Sequence, residues 1–228
     1  LGYIRKGRLT KMKKINKKNK QKDNINKIFK LFIPSILAGI SISLAGFIFL
    51  SVDNKYLGSV LFTLGLFLVC TRSYNLYTGK VCYCKTKQDI KNLLIIILGN
   101  FIGTNITGLL LRGTRYVQAL STKATSIIDI KLSDNLLSLF ILAIICNVFI
   151  YVAVDGYKKA KDNVSKYLSL FFGVIGFVIT GTEHVVADMF YFAVAGNYTS
   201  KAFIVLLIVF LGNTVGGRLY SLIEEKFF

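Results

Sequence analysis

The sequence has few of the residues from which metal centres and disulfide frameworks are built. Its 228 residues include a single histidine, His184, and only four cysteines. A disulfide framework in a chain of this length needs more than four cysteines. One histidine excludes a metal site built on several, and Cys82 and Cys84 are too few to form one between them. We therefore expect no metal or cofactor.

Charged residues are few and apolar residues abundant. Hydrophobic residues make up 54% of the chain, and the mean hydropathy is +0.57. Soluble domains are only about 45–50% apolar even when glycine is counted. This much apolar surface excludes a disordered chain. Long unbroken apolar runs exclude a transmembrane β-barrel, whose strands alternate apolar and polar residues. The composition predicts an all-α integral membrane protein.

Six uncharged stretches are long enough to consider as membrane spans. They cover residues 31–52, 56–71, 92–111, 135–154, 167–182 and 202–217. A spanning helix needs about 20 mostly apolar residues. Three stretches meet this length outright, and the last meets it if Arg218 extends to the interface. We therefore predict six transmembrane helices.

Basic residues are concentrated on one predicted side of the membrane. Residues 1–30 contain twelve lysines or arginines and one acid, Asp23; with this end in the cytoplasm, 22 of the 29 cations lie inside. The bias predicts a multi-pass protein of the cell inner (plasma) membrane with both termini cytoplasmic. We expect a basic tail (1–30), a transmembrane channel domain (31–222) and a short C-terminus (223–228). No aromatic-and-basic motif accompanies the tail, so nucleic acid is not an expected partner.

The second and fifth predicted spans are interrupted by polar residues. In the second, residues 72–75 (RSYN) precede residues 76–79 (LYTG). In the fifth, residues 180–184 (TGTEH) precede residues 185–190 (VVADMF). Broken helices at matching positions of two halves are typical of the transport site of an inverted-repeat membrane protein.

A short motif supports two related halves. The pattern G-N-x-x-G occurs at residues 99–103 in the third span and at 212–216 in the sixth. Small residues at this spacing let helices approach closely. With three helices in each half, the halves run in opposite directions through the bilayer. The sequence thus predicts an aquaporin-like inverted repeat (3+3) in which helices 2 and 5 are broken, and half-helix N-termini near the midplane favour an anion.

Each polar residue within the spans allows two interpretations. His184 is either a structural bridge between helices or a proton exchanger and anion contact. We expect Glu183 to cap backbone donors at the break, because an unpaired carboxylate in a pore would repel anions. Lys131 is either a solvated charge in the outer loop or functional, and Thr78 and Asn147 could be hydrogen-bonding links between helices. Nothing resembles a nucleophile–base pair or a phosphate-binding loop, so enzymatic activity is not expected.

The sequence resembles the formate/nitrite transporter family over about residues 30–222. Residues 181–190 (GTEHVVADMF) resemble the family's G-x-E-H-x-x-A-N-M-F signature. Residues 76–79 (LYTG) resemble its L-[FY]-T-G loop, and residues 99–100 and 146–147 occupy its G-N and [AC]-N positions. The resemblance implies a homopentamer with one pore per subunit. It also implies passage of small anions of weak acids: formate, nitrite or hydrosulfide.

The resemblance also implies roles for individual residues. The anion contacts would be His184 at the pore centre, its partner Thr78, Asn147, and Lys131 in the outer vestibule. Phe62 and Phe177 would form an outer hydrophobic constriction, and Leu76 an inner one.

Three residues are expected to influence selectivity. Asp188 stands where the family usually has Asn, and Asn75 stands where formate and nitrite members often carry an acid. Together with Tyr77, they surround the second-span loop and the histidine. These departures favour the hydrosulfide branch over the formate branch.

Other transport mechanisms are weighed beside this one. A weak-acid anion/H⁺ symporter for formate or nitrite could use every residue named above. An aquaporin-type neutral-solute channel carries two Asn-Pro-Ala motifs, whereas the only proline here is Pro34. A purely structural membrane scaffold would leave His184 and Thr78 unexplained. We therefore favour an anion channel, with the symporter as the alternative.

Overall fold

The computed structural model describes the backbone of residues 2–227 and the side chains of residues 25–227. Within that part, the regular structure is helical throughout. The helices are α1 (Gly2–Ser51), α2 (Lys55–Thr71), α3 (Tyr77–Val81), α4 (Lys87–Arg112), α5 (Val117–Ser133), α6 (Leu136–Lys159), α7 (Asn163–Thr180), α8 (Val185–Ala195) and α9 (Ser200–Phe227).

Five helices are long and apolar enough to cross a membrane. They are Ile25–Ser51 within α1, and the whole of α4, α6, α7 and α9. Helices α2 and α8 are apolar but shorter, with 17 and 11 residues. Most cations of the predicted tail lie at residues 1–24, whose side chains are outside the described residues. The architecture is therefore that of a multi-pass helical membrane protein.

The long helices pack in two similar groups. In one, α1 packs against α4 and α2; in the other, α6 packs against α9 and α7. Two glycines allow the closest approaches. A Cβ atom at Gly103 of α4 would overlap the carbonyl oxygen of Ile36, and one at Gly216 of α9 would overlap that of Ile144. The G-N-x-x-G motifs thus lie where helix backbones touch.

Two segments outside the six predicted spans are also helical. The predicted outer loop contains α5, which packs on α8 and whose buried residues Leu120, Ala124 and Ile128 recur every four positions. A search for long apolar runs misses such a helix because its other faces are polar. The segment predicted as a separate C-terminus continues α9 as far as Phe227.

Both interrupted regions contain a real gap between helices. Helix α2 ends at Thr71 and α3 begins at Tyr77, while α7 ends at Thr180 and α8 begins at Val185. Each gap contains a residue in the left-handed conformation, Ser73 with φ 56° and Gly181 with φ 68°. We call these the α2–α3 break and the α7–α8 break.

Candidate functional site

Asn100 of α4 holds the α2–α3 break in place. Its Oδ1 accepts a hydrogen bond from the backbone N–H of Tyr77 at 2.8 Å. Its Nδ2 donates to the carbonyl oxygens of Ser35 (2.7 Å) and Asn75 (2.9 Å). This buried side chain satisfies backbone groups that the end of a regular helix would leave unpaired.

Asn213 of α9 does the same at the α7–α8 break. Its Oδ1 accepts from the N–H of Val185 at 2.9 Å, and its Nδ2 donates to the carbonyl oxygens of Ala143 and Glu183, each at 2.8 Å. In the sequence these asparagines stand out only as members of the G-N-x-x-G motif. Their occurrence in both copies of the motif was the signal that could have indicated this shared role.

The two breaks meet at a hydrogen bond between Thr78 and His184. Thr78 Oγ1 and His184 Nε2 are 2.9 Å apart, and both residues are buried. His184 Nδ1 accepts from the backbone N–H of Ala187 at 3.1 Å. Because Nδ1 is an acceptor, the proton of the neutral ring lies on Nε2, which donates to Thr78. The predicted pair of site residues is therefore brought together.

A cavity of about 340 Å³ is lined by His184, one partner of this hydrogen bond. We call it the Lys131 cavity. Its polar lining includes His184, Lys131, Glu183, Asp188, Lys55 and Tyr191. Phe62 and Phe177 also line it, in edge-to-face contact with ring centroids 5.8 Å apart. The Phe177 ring stacks on the imidazole of His184 at 5.4 Å, so an apolar surface directly adjoins the histidine.

A second cavity, of about 210 Å³, adjoins the α2–α3 break. We call it the Lys80 cavity; Leu76, Leu66, Gly79, Lys80 and Lys158 are among the residues that line it. Phe62 and Leu66 lie about one turn apart on α2 and line different cavities. Leu76 therefore lines one cavity and the two phenylalanines the other.

Lys131 is not a solvated loop residue. It lies in the last turn of α5, is only 7% exposed, and forms ion pairs with Glu183 and with Asp188, the latter at 3.0 Å. Asp188 Oδ2, also buried, has no hydrogen-bond partner among the described residues. This corner of the cavity thus holds two carboxylates beside one ammonium.

The expectation for Glu183 was wrong. Its carboxylate pairs with Lys131 and lines the cavity instead of capping backbone donors. The first turn of α8 is capped by other side chains: His184 Nδ1 accepts from the N–H of Ala187, and Asn213 Oδ1 accepts from the N–H of Val185. The ion pair with Lys131 reduces the repulsion that an isolated carboxylate would exert on an anion.

The remaining predicted site residues, like Thr78, line neither cavity. Asn147 is fully buried, and its Nδ2 donates to the carbonyl oxygen of Thr78 at 3.1 Å. Asn75 Nδ2 donates to the carbonyl oxygen of Leu31 at 3.1 Å. Tyr77 stacks on Phe210, and its hydroxyl lies 2.6 Å from that of Thr214. These side chains hold the α2–α3 break in place through hydrogen bonds and ring stacking.

Metal-binding side chains are not grouped in the described part of the chain. No cluster of three or more His, Cys, Asp or Glu residues with the geometry to hold a metal ion occurs there. The site chemistry derives from one imidazole, one hydroxyl, an ion-paired cluster and apolar rings.

Residues 10–223 match the sequence profile of the family described as "Formate/nitrite transporter". The chain belongs to this family, which consists of channels and transporters and not of enzymes. Two relatives are the uncharacterized transporter YrhG of Bacillus subtilis (strain 168), 29% identical over 188 residues, and the formate channel FocA of Haemophilus influenzae, 27% identical over 187 residues. These matches cover 73% and 71% of this chain, and 69% and 65% of those proteins. The chain spans between 35% and 69% of the length of the first curated relatives it matches.

A solved structure shares the fold. The chain is similar to a pentameric formate channel with formate bound, with a TM-score of 0.79 and 27% sequence identity. The similarity covers 88% of this chain and 97% of that one. The architecture of α1–α9 is therefore that of the formate/nitrite transporter channels.

Proposed function

We propose that this protein is a membrane channel for small monovalent anions of weak acids: formate, nitrite or hydrosulfide. The Thr78–His184 hydrogen bond carries the proposal. It joins the two helix breaks. His184 lines the Lys131 cavity, and Gly79, the residue after Thr78, lines the Lys80 cavity. Polar groups buried at broken helices are typical of transport sites in membranes.

The apolar contacts support selection by desolvation. Phe62 and Phe177 are in edge-to-face contact, so a hydrated ion would have to shed its water to pass them. A weak-acid anion avoids much of this cost by sharing a proton at His184 while it passes, and the proton stays behind in the channel; in the alternative symporter the proton crosses with the anion. Chloride has no such route. The geometry therefore supports passage of weak acids over passage of strong-acid anions.

The tautomer of His184 supports its role at the centre of the pore. Nε2–H donates to Thr78 Oγ1, which leaves the Thr78 hydroxyl hydrogen available for another acceptor. An anion reaching this point could accept that hydrogen while His184 stays neutral. Asn147, bonded to the Thr78 carbonyl, keeps the threonine in position.

We further propose six spans arranged as a 3+3 inverted repeat. In this arrangement α2 with α3, and α7 with α8, each make one broken crossing, and α5 joins the two halves. The matching hydrogen bonds of Asn100 and Asn213 support it, as do the matching close contacts of Gly103 and Gly216. The solved pentameric formate channel supports a homopentamer with one pore per subunit.

The orientation and substrate preference are part of the same proposal. The positive-inside rule places the Lys80 cavity and both termini at the cytoplasmic side of the inner membrane. The departures at Asp188 and Asn75 favour hydrosulfide, and Tyr77 is the third residue expected to influence selectivity. Of the three, only Asp188 lines a cavity, so Asn75 and Tyr77 would act through the shape of the α2–α3 break.

Stopped-flow uptake into proteoliposomes tests this function. Hydrosulfide, formate, nitrite and chloride are compared under one concentration gradient. We expect rapid uptake of the weak-acid anions, fastest for hydrosulfide, and slow uptake of chloride. No uptake of any of them by folded protein would overturn the proposal.

A pH gradient distinguishes a channel from the alternative symporter. At a fixed anion gradient and with the membrane potential clamped, an imposed pH gradient should drive net accumulation of the anion only if protons move with it. Formate accumulation that is the same with and without the pH gradient supports the channel. Accumulation that follows the gradient supports the weak-acid anion/H⁺ symporter.

A further inference from the structure

Lys55 is an exposed cation that lines the Lys131 cavity. It is the first residue of α2, and it lines the cavity together with Phe49 and Ile130. Neither the motifs of the sequence nor its long apolar runs single it out.

The other charged residues that line this cavity do not leave a positive charge to attract an anion. Lys131 is buried and ion-paired with Glu183 and Asp188. With both carboxylates ionised this cluster carries a net charge of about −1, and with one protonated it is neutral. In neither state does Lys131 present an uncompensated positive charge.

Lys55 has no such partner among the described residues. The nearest carboxylate along the chain, Asp53, is bonded to Lys123 at 2.7 Å. This hydrogen bond and the Lys123 charge lower the pKa of Asp53, so its carboxylate stays ionised and engaged with Lys123 near neutral pH. The charge of Lys55 therefore faces the cavity and water, and no neighbouring carboxylate in the described part of the chain neutralises it.

The position of Lys55 is unfavourable for helix stability. Asn54 caps α2 through a hydrogen bond from the Leu57 N–H to its Oδ1 at 3.0 Å, which places Lys55 in the first turn. The helix dipole disfavours a cation there and favours one in the last turn, where Lys131 lies on α5. Helix stability and ion pairing explain why a lysine stands at position 131, but neither explains a lysine at position 55. The positive end of the α2 dipole adds to the potential at the same place.

We propose that Lys55, and not Lys131, is the residue that draws anions into the Lys131 cavity. The ligand is a small monovalent anion from solution, attracted by charge without a fixed binding geometry. This inference rests on the proposed anion transport. Its test therefore begins with wild-type protein that transports.

Initial rates of formate uptake into proteoliposomes test the role of Lys55. The variants are Lys55→Gln and Lys55→Glu. The matched control is Lys201→Gln. Lys201 is an exposed lysine in the first turn of α9, and it lines neither cavity. Each is measured at low and at high ionic strength, set with potassium gluconate, after thermal unfolding has shown that the variants are folded.

At low ionic strength we expect KM to rise about threefold for Lys55→Gln and about tenfold for Lys55→Glu, with the maximal rate unchanged. The control should match the wild type. The differences should disappear at about 1 M salt, where the Debye length falls to about 3 Å. Wild-type KM in folded Lys55→Glu protein at low salt would overturn the inference while leaving anion transport intact. Absence of transport by the wild type would instead overturn the proposed function.

Discussion

At the residue scale, the site depends on a few buried polar contacts in an apolar surrounding. Thr78 and His184 are almost completely buried. They share one hydrogen bond, which links the α2–α3 break to the α7–α8 break. In such surroundings an unpaired polar group is costly. Each contact can therefore be tested by removing one partner.

Replacing either partner of the Thr78–His184 hydrogen bond should reduce transport. We expect His184→Phe and Thr78→Val each to lower the rate of formate uptake at least about tenfold, and Thr78→Ser to retain most of it. Because both side chains act through one hydrogen bond, the double variant should be little worse than either single variant. The rate is measured in proteoliposomes with protein of verified oligomeric state. Unchanged uptake by assembled His184→Phe protein would contradict the role of His184.

Asp188 offers a second test at this scale. Asp188→Asn removes one of the two carboxylates beside Lys131, while Glu183 still pairs with the lysine. The cavity lining then becomes more positive by one charge, or by none where Asp188 was already protonated. We expect KM for formate to fall about threefold at low ionic strength.

Glu183→Gln serves as the comparison for Asp188→Asn, because it removes the other carboxylate that pairs with Lys131. A KM for Asp188→Asn that rises would show that the carboxylate assists anions instead of repelling them. The same measurement with hydrosulfide tests whether Asp188 contributes to substrate preference.

At the scale of helices, the breaks depend on their neighbours. Five residues separate Thr71 from Tyr77, and four separate Thr180 from Val185. The asparagines of α4 and α9 accept from the first N–H of each following helix. Broken segments in a membrane persist only where protein groups satisfy the freed backbone. The close approach of α4 to α1 and of α9 to α6 is therefore a condition for the site.

Adding a methyl group at the closest contacts should destabilise the protein. We expect Gly103→Ala and Gly216→Ala each to cost about 1–3 kcal/mol, because the new Cβ would overlap a carbonyl oxygen of the facing helix. Gly113→Ala is the control, since its Cβ would meet only Leu110 O, at 3.4 Å. Thermal unfolding in detergent measures the effect. Equal melting temperatures for all three variants would contradict the packing argument.

At the scale of the whole molecule, many large apolar side chains face outward. Examples on one helix are Leu94, Leu98, Leu109 and Leu110 of α4, each more than half exposed. In a membrane such surfaces contact either lipid or neighbouring subunits. The chain alone therefore presents more apolar surface than a soluble protein would tolerate.

Native mass spectrometry in detergent tests the proposed assembly. We expect a species with five times the mass of the 25.5 kDa chain. Cross-linking in membranes should give a ladder that ends at five subunits. A stable monomer or dimer in both measurements would contradict the pentamer.

Local properties of the sequence were sufficient to predict the class of the protein. Apolar runs and charge bias predicted a multi-pass membrane protein, and the motifs around His184 and Thr78 predicted the family, which the comparisons confirmed. The polar interruptions coincide with the gaps at residues 72–76 and 181–184. These features depend on residues near one another in the chain, so they can be recognised without a fold.

Only the tertiary structure decided which side chains meet. Lys131 pairs with Glu183 and Asp188, which lie 52 and 57 positions away, and Asn213 reaches the α7–α8 break from α9. Hydropathy and motif spacing carry no information on such pairings, because they depend on how helices from distant parts of the chain pack. For the same reason the sequence alone left two interpretations of Lys131 open, whereas the fold pairs it with Glu183 and Asp188. Among the described residues, Lys55 has no such partner at the cavity.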